Sequence, residues 1–101
     1  MDFKIKWSYE AIEDVESIAQ YISRDSQFYA QATVSKIIDF SRSVAKFPQM
    51  GRIVPEVNNK RIRERLVYSY RLIYKVERHY VLIIAVIHDK RLLGSILGRL
   101  H

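Results

Sequence analysis

Residues Val81–Ile87 form an unbroken run of seven apolar side chains, and no other feature of the chain constrains its fold as strongly. A helix needs ~20 apolar residues to cross a bilayer, so this run is far too short to span one. It has the length of a buried strand. In such a strand Val81, Ile83, Ala85 and Ile87 fall on one face and Leu82, Ile84 and Val86 on the other. A strand that is apolar on both faces belongs in the middle of a sheet.

Two strands are predicted before it, Arg61–Val67 and Tyr70–Glu77, with the apolar strand itself running Tyr80–His88. Tight turns at Tyr68-Ser69 and Arg78-His79 join them. The opening of the chain also alternates. Phe3, Ile5 and Trp7 point one way and Asp2, Lys4 and Lys6 the other, as in a half-buried strand. Ser8 reads as a helix N-cap, with Glu10 in the first turn and Trp7 and Ile12 spaced as a hydrophobic staple. The first helix then runs to about Ser23 with Ala11, Val15, Ile18 and Ile22 on one face. Asp25 or Ser26 breaks and recaps the chain. A second helix spans roughly Phe28–Lys46, its stripe made of Ala30, Val34, Ile37, Ile38, Ser41, Val44 and Ala45, and Pro48 stops it. Pro48–Asn59, with Pro48, Gly51, Pro55 and Asn58-Asn59, is predicted to be one ordered loop. Leu92, Leu93, Ile96, Leu97 and Leu100 allow a short closing helix. The expected fold is α+β: an N-terminal strand, an antiparallel helical hairpin, and three antiparallel strands forming one sheet. The hairpin covers one face of the sheet and leaves the other partly open.

With 101 residues, 49% of them apolar, the chain suits a single domain over residues 1–101. It has no cysteine, which excludes a disulfide framework and thiolate metal ligands and fits a reducing cytoplasm. The start, Met1-Asp2-Phe3-Lys4, has no signal-peptide character, and no membrane association is expected.

Charge is unevenly divided. Met1–Phe47 carries 6 Lys+Arg against 7 Asp+Glu, whereas Pro48–His101 carries 11 against 4. The surplus falls on the predicted strands. Arg61, Arg63 and Arg65 alternate, so they form a row on one face, expected to line the open side of the sheet. Such a row suits an anionic partner, nucleic acid or an acidic protein segment. It also suits an edge strand that simply resists aggregation.

Metal-free cleavage of RNA needs a base for the ribose 2′-hydroxyl, an acid for the leaving oxygen and cations around the phosphate. Glu56 offers the base, Arg65 and Arg71 the phosphate clamps, and His88 the acid. Each has a plainer alternative: Glu56 paired with Arg52 or capping a turn, Arg71 in a structural ion pair with Glu64, His88 as a satisfied strand-end histidine. Tyr68, Tyr70, Tyr74 and Tyr80 are a stacking set on one reading and strand packing on the other. No metal site and no cofactor is expected. A one-residue slip of register decides whether Arg65 and Arg71 share a face.

The ordered runs Phe47-Pro48-Gln49-Met50-Gly51-Arg52-Ile53-Val54-Pro55-Glu56, Ile62-Arg63-Glu64, Tyr70-Arg71-Leu72-Ile73-Tyr74-Lys75-Val76 and Ile84-Ala85-Val86-Ile87-His88 with Arg91 resemble the RelE/ParE superfamily of toxins. So does the opening, with Trp7, Ala11, Asp14, Ile18 and Tyr21-Ile22. The resemblance covers nearly the whole chain. It implies a cytoplasmic toxin of a type II toxin–antitoxin module, held inactive by a cognate antitoxin whose disordered tail folds onto it. That tail would lay apolar residues in the hairpin–sheet groove and acidic ones on the arginines.

Two activities share this fold. RelE-like and YoeB-like members cut mRNA on the ribosome; ParE-like members poison DNA gyrase. The Pro55-Glu56 pair and Arg71 resemble YoeB-like positions. Yet ribosome-dependent members usually carry a Tyr or a His-Tyr pair near the C-terminus, where this chain reads Asp89-Lys90-Arg91 after His88. Gly51-Arg52, Pro55-Glu56, Ile62-Arg63-Glu64 and His88-x-x-Arg91 look most like the ParE branch. In that branch no residue of this protein performs chemistry. Arg52, Arg61, Arg63, Arg65, Arg71 and Arg91 then become the residues expected to contact antitoxin or target.

Overall fold

The computed structural model describes residues 3–91 and 93–100. Strand β1 (Lys4–Trp7) leads into helices α1 (Tyr9–Ser23) and α2 (Gln27–Lys46), then a 3-10 turn at Pro48–Met50 and a two-residue strand β2 (Arg52–Ile53). Strands β3 (Ile62–Val67), β4 (Tyr70–Val76) and β5 (Tyr80–His88) follow, and a 3-10 helix, Leu93–Leu100, closes the chain. The sheet order is β1-β5-β4-β3-β2. β1 runs parallel to β5 and the other neighbours are antiparallel. The doubly apolar strand is therefore interior, as its composition requires.

The caps follow from local chemistry. Ser8 Oγ accepts the Ala11 N–H at 3.1 Å, and Ser26 Oγ accepts the Tyr29 N–H at 3.1 Å. Each satisfies a backbone donor that the first helical turn leaves unpaired. Ala11, Ile18, Ile37 and Val44 are buried beneath the hairpin, together with Val67, Leu72, Tyr74, Val81, Ile83 and Val86 from the sheet. Val15 and Ile22 pack at the margin of this core, whereas Ile38, placed by periodicity on the stripe of the second helix, is 37% exposed. The β3–β4 hairpin turns through Tyr68-Ser69, and Tyr68 adopts a left-handed backbone at φ 56°.

Three expectations are corrected. The stretch Pro48–Asn59 is not a plain loop, because Arg52 and Ile53 pair with Glu64 and Arg63 and add a fifth strand. The face away from the hairpin is not open. Val54, Ile62, Ile73, Ile84, Ala85, Ile87, Ile96 and Leu100 form a second core there, covered by the segment after β2 and by the closing 3-10 helix. The arginine row does not line that face. Arg63 and Arg65 stand opposite Tyr74 and Leu72, which belong to the core under the helices, so the row lies on the hairpin side. Asp2 and Leu92, assigned above to the first strand and the closing helix, lie outside the described residues.

An irregularity in β5 changes which of its residues reach the second core. Ile73 pairs with Ala85 but Tyr74 pairs with Ile83, which leaves Ile84 as an extra residue. A bulge of this kind shifts the alternation by one position. Ile84 and Ala85 both join the second core, and Val86 returns to the first. Beyond the end of β1, the exposed edge of β5 is closed by α1. Ser8 N and Oγ donate to Ile83 O and Ile84 O at 3.0 and 3.2 Å, and Val86 N–H donates to Asp14 Oδ2 at 3.0 Å. Arg99 reaches the same carboxylate at 2.7 Å and ties the closing helix to α1.

Candidate functional site

β3 and β4 place Glu64 and Arg71 on the face away from the hairpin, where their side chains are 1% and 7% exposed. Arg71 Nε donates to Glu64 Oε1 at 2.6 Å. Its outer nitrogens, Nη1 and Nη2, donate to Glu56 Oε2 and Oε1 at 3.0 and 3.1 Å, a two-pronged contact that matches the guanidinium fork to a carboxylate. Glu64 Oε2 accepts a further bond from Arg52 Nε at 2.5 Å. The result is a chain of alternating charge, Arg52–Glu64–Arg71–Glu56, formally neutral, with its two middle members buried. Its two exposed members, Arg52 and Glu56, come from the segment between α2 and β3, so the network fastens that segment to the sheet. The Arg71 hydrogen bonds, foremost among its influences, hold the Glu56 carboxyl below the usual carboxylate range. The same pairing raises the pKa of Arg71, which stays a cation.

Tyr74 secures that segment from the other face. The side chain is wholly buried, and its hydroxyl donates to Pro48 O at 2.8 Å while accepting the Gly51 N–H at 3.0 Å. Gly51 lacks a side chain for a physical reason: a Cβ there would stand 2.7 Å from Glu64 O and meet the Tyr74 ring.

The arginine row is partly committed to local bonds. Arg61 pairs with Glu77 at 2.5 Å, and Arg63 donates to Gly51 O at 2.8 Å and to Lys60 O at 3.1 Å. Arg65 lies over the Phe40 ring, 4.7 Å from its centroid. His88 ends β5 on the hairpin side. Its ring meets Tyr70 edge-to-face at 5.7 Å, and its Nδ1 lies 3.1 Å from Asp89 Oδ1. Arg91 is exposed just beyond it.

The structure therefore brings Glu56 and Arg71 together and sets Arg65 and His88 on the opposite face. Leu66 stands opposite Arg71 and Arg65 opposite Leu72, which settles the register: the two arginines do not share a face. Among the described residues, no three His, Cys, Asp or Glu side chains are grouped to hold a metal. The tyrosine set divides as well. Tyr74 is a core residue, Tyr80 lies under Lys6 Nζ at 4.2 Å from its centroid, and Tyr68 and Tyr70 border a recess with Tyr21. Sequence reasoning missed the roles of Asp14 and Arg99. Asp14 sits among other acids on α1, and nothing in the spacing of Arg99 announces its partner 85 positions away.

No curated protein sequence is a significant match. Among solved structures, the chromosomal ParDE TA system from P. aeruginosa is similar with a TM-score of 0.71 at 16% identity, over 85% of this chain and 95% of that one. The YoeB dimer from Staphylococcus aureus gives 0.60 at 19% identity, over 87% and 98%. The YoeB-YefM complex from the same organism gives 0.56 at 18%, again over 87% and 98%. These likenesses are of fold. Residues 5–93 also match the family described as the ParE toxin of the type II toxin-antitoxin system parDE. That match spans most of the 101 residues, and the chain belongs to the ParE toxin family.

Proposed function

We propose that the protein is the toxin of a type II module and acts by poisoning DNA gyrase, without catalysis of its own. The observation that supports this reading is the division of the nuclease-like residues between the two faces of the sheet. General acid–base cleavage needs its base, acid and phosphate clamps within hydrogen-bond reach of one substrate. Here Arg65 and His88 stand on one face and Glu56 and Arg71 on the other. The buried Arg71 fork is already occupied by two carboxylates. The Arg52–Glu64–Arg71–Glu56 chain is then a structural fastening.

The partner that restrains the toxin is a cognate antitoxin, with an acidic and partly apolar tail folding on binding. Phe47, Met50 and Leu66 are 60%, 53% and 54% exposed, and Met50 and Leu66 border a recess of about 260 Å³ with Arg52 and Arg65. Exposed apolar side chains beside unburied arginines suit such a tail, and its affinity is expected to fall as salt rises.

The test is growth arrest by variants expressed without antitoxin. Glu56→Gln and His88→Ala are expected to remain toxic. Loss of toxicity in either, from protein that stays folded, would favour ribosome-dependent mRNA cleavage instead.

A further inference from the structure

A recess of about 560 Å³ lies at the C-terminal end of β5, between α1 and the β3–β4 turn, within the size range of small-ligand sites. Three phenols border it, Tyr21, Tyr68 and Tyr70, with His88 and Arg91 beside them. Tyr21 and Tyr68 are 68% and 64% exposed, so their ring faces are available.

Two observations single out this recess. Tyr68 holds a left-handed backbone in a two-residue hairpin turn, a position that Asn or Gly fills at lower cost. The turn thus keeps an aromatic ring at the recess despite backbone strain. The carboxylate that lines the recess is also already engaged. Asp14 is bound by Arg99 and the Val86 N–H. An incoming anion meets Arg91 with that carboxylate already paired.

We propose that this recess binds a nucleobase carrying a phosphate, either a free nucleotide or the 5′ end of a nucleic acid strand. The base stacks on Tyr21 and Tyr68, since every base has a π face, and the planar fork of Arg91 takes the phosphate. A peptide strand is a poorer occupant, because on the neighbouring edge of β5 the Ile83 and Ile84 carbonyls and the Val86 N–H are already taken by Ser8 and Asp14. This inference goes beyond the gyrase reading and does not depend on it.

The test is calorimetric titration of the full chain with AMP, adenosine, inorganic phosphate and a 5′-phosphorylated tetra-adenylate. Saturable binding of AMP is expected, with adenosine and phosphate each at least about tenfold weaker. Tyr21→Ala, Tyr68→Ala and Arg91→Ala are each expected to weaken AMP about tenfold, and Lys4→Ala on β1 to leave it unchanged. The three side chains are exposed, and circular dichroism confirms that each variant is folded. Tighter binding of the tetranucleotide than of AMP assigns the site to a strand end, and equal binding to a free nucleotide. The proposal is overturned if neither probe saturates, or if both bind a folded Tyr21→Ala, Tyr68→Ala or Arg91→Ala variant as they bind the natural chain. Binding of a glutamate-rich peptide in place of both nucleotide probes would also overturn it.

Discussion

Removing Glu64 strands a cation inside the protein. Its side chain is 1% exposed, and it holds the inner edge of an Arg71 that is itself 7% exposed. Breaking a buried pair from one side typically costs 3–5 kcal/mol, because the remaining charge keeps its desolvation penalty. Arg71 retains Glu56 in Glu64→Leu, so the low end applies, about 3 kcal/mol. Glu56 is different. Its side chain is 47% exposed, water screens its pairing, and Glu56→Gln is expected to cost only about 1 kcal/mol. Arg71→Met leaves Glu64 buried with the exposed Arg52 as its partner and is expected to cost about 3 kcal/mol as well. The double variant Glu64→Leu/Arg71→Met removes both buried charges, and its loss should be about 1 kcal/mol rather than the sum of its parts. Urea unfolding followed by Trp7, the one tryptophan, measures all four. With a slope of about 1.5 kcal/mol per molar, the single core variants should lower the midpoint by roughly 2 M. Equal losses in Glu64→Leu and Glu56→Gln, or a double variant as unstable as the sum, would refute the reasoning.

Other outcomes follow from the same contacts. Tyr74→Phe removes the hydroxyl that serves Pro48 O and the Gly51 N–H and should cost about 1–2 kcal/mol in thermal unfolding; an unchanged melting temperature would show that water replaces it. Gly51→Ala forces a methyl against Glu64 O and the Tyr74 ring and should cost about 1–3 kcal/mol by the same measurement. Glu56 has its folded pKa lowered below the unfolded value, so its contribution is present above the unfolded pKa and is lost as pH falls through the folded one. The stability gap between the natural chain and Glu56→Gln should therefore be full at neutral pH and close in the acid range below about pH 4. A gap that persists there would mean that Glu56 acts through packing.

Much of the fold could be read before the structure, for identifiable reasons. A serine cap at Ser8, a break at Asp25 or Ser26 and two amphipathic stripes located both helices, and a doubly apolar run located an interior strand. The bulge at Ile84 left no trace, because one extra residue in a run of uniform apolarity changes no pattern. β2 was missed because two residues are too few to show a period. Alternation put Arg61, Arg63 and Arg65 on one face, which the register bears out for Arg63 and Arg65, but it did not say which face. That depended on Ile62 and Glu64 packing into a second core that distant Ile96 and Leu100 help to form. The Glu64–Arg71 pair was among the alternatives because an arginine between apolar neighbours needs a partner. The second carboxylate on its fork, Glu56, arrives through a segment whose path is not local.

The central claim, a toxin that traps gyrase without chemistry of its own, is tested most directly by incubating purified protein with DNA gyrase, ATP and supercoiled plasmid. Linear DNA is scored after protein denaturation. Accumulated linear plasmid is expected, to the same extent with the Glu56→Gln variant. No linear DNA from protein shown to be folded would contradict it.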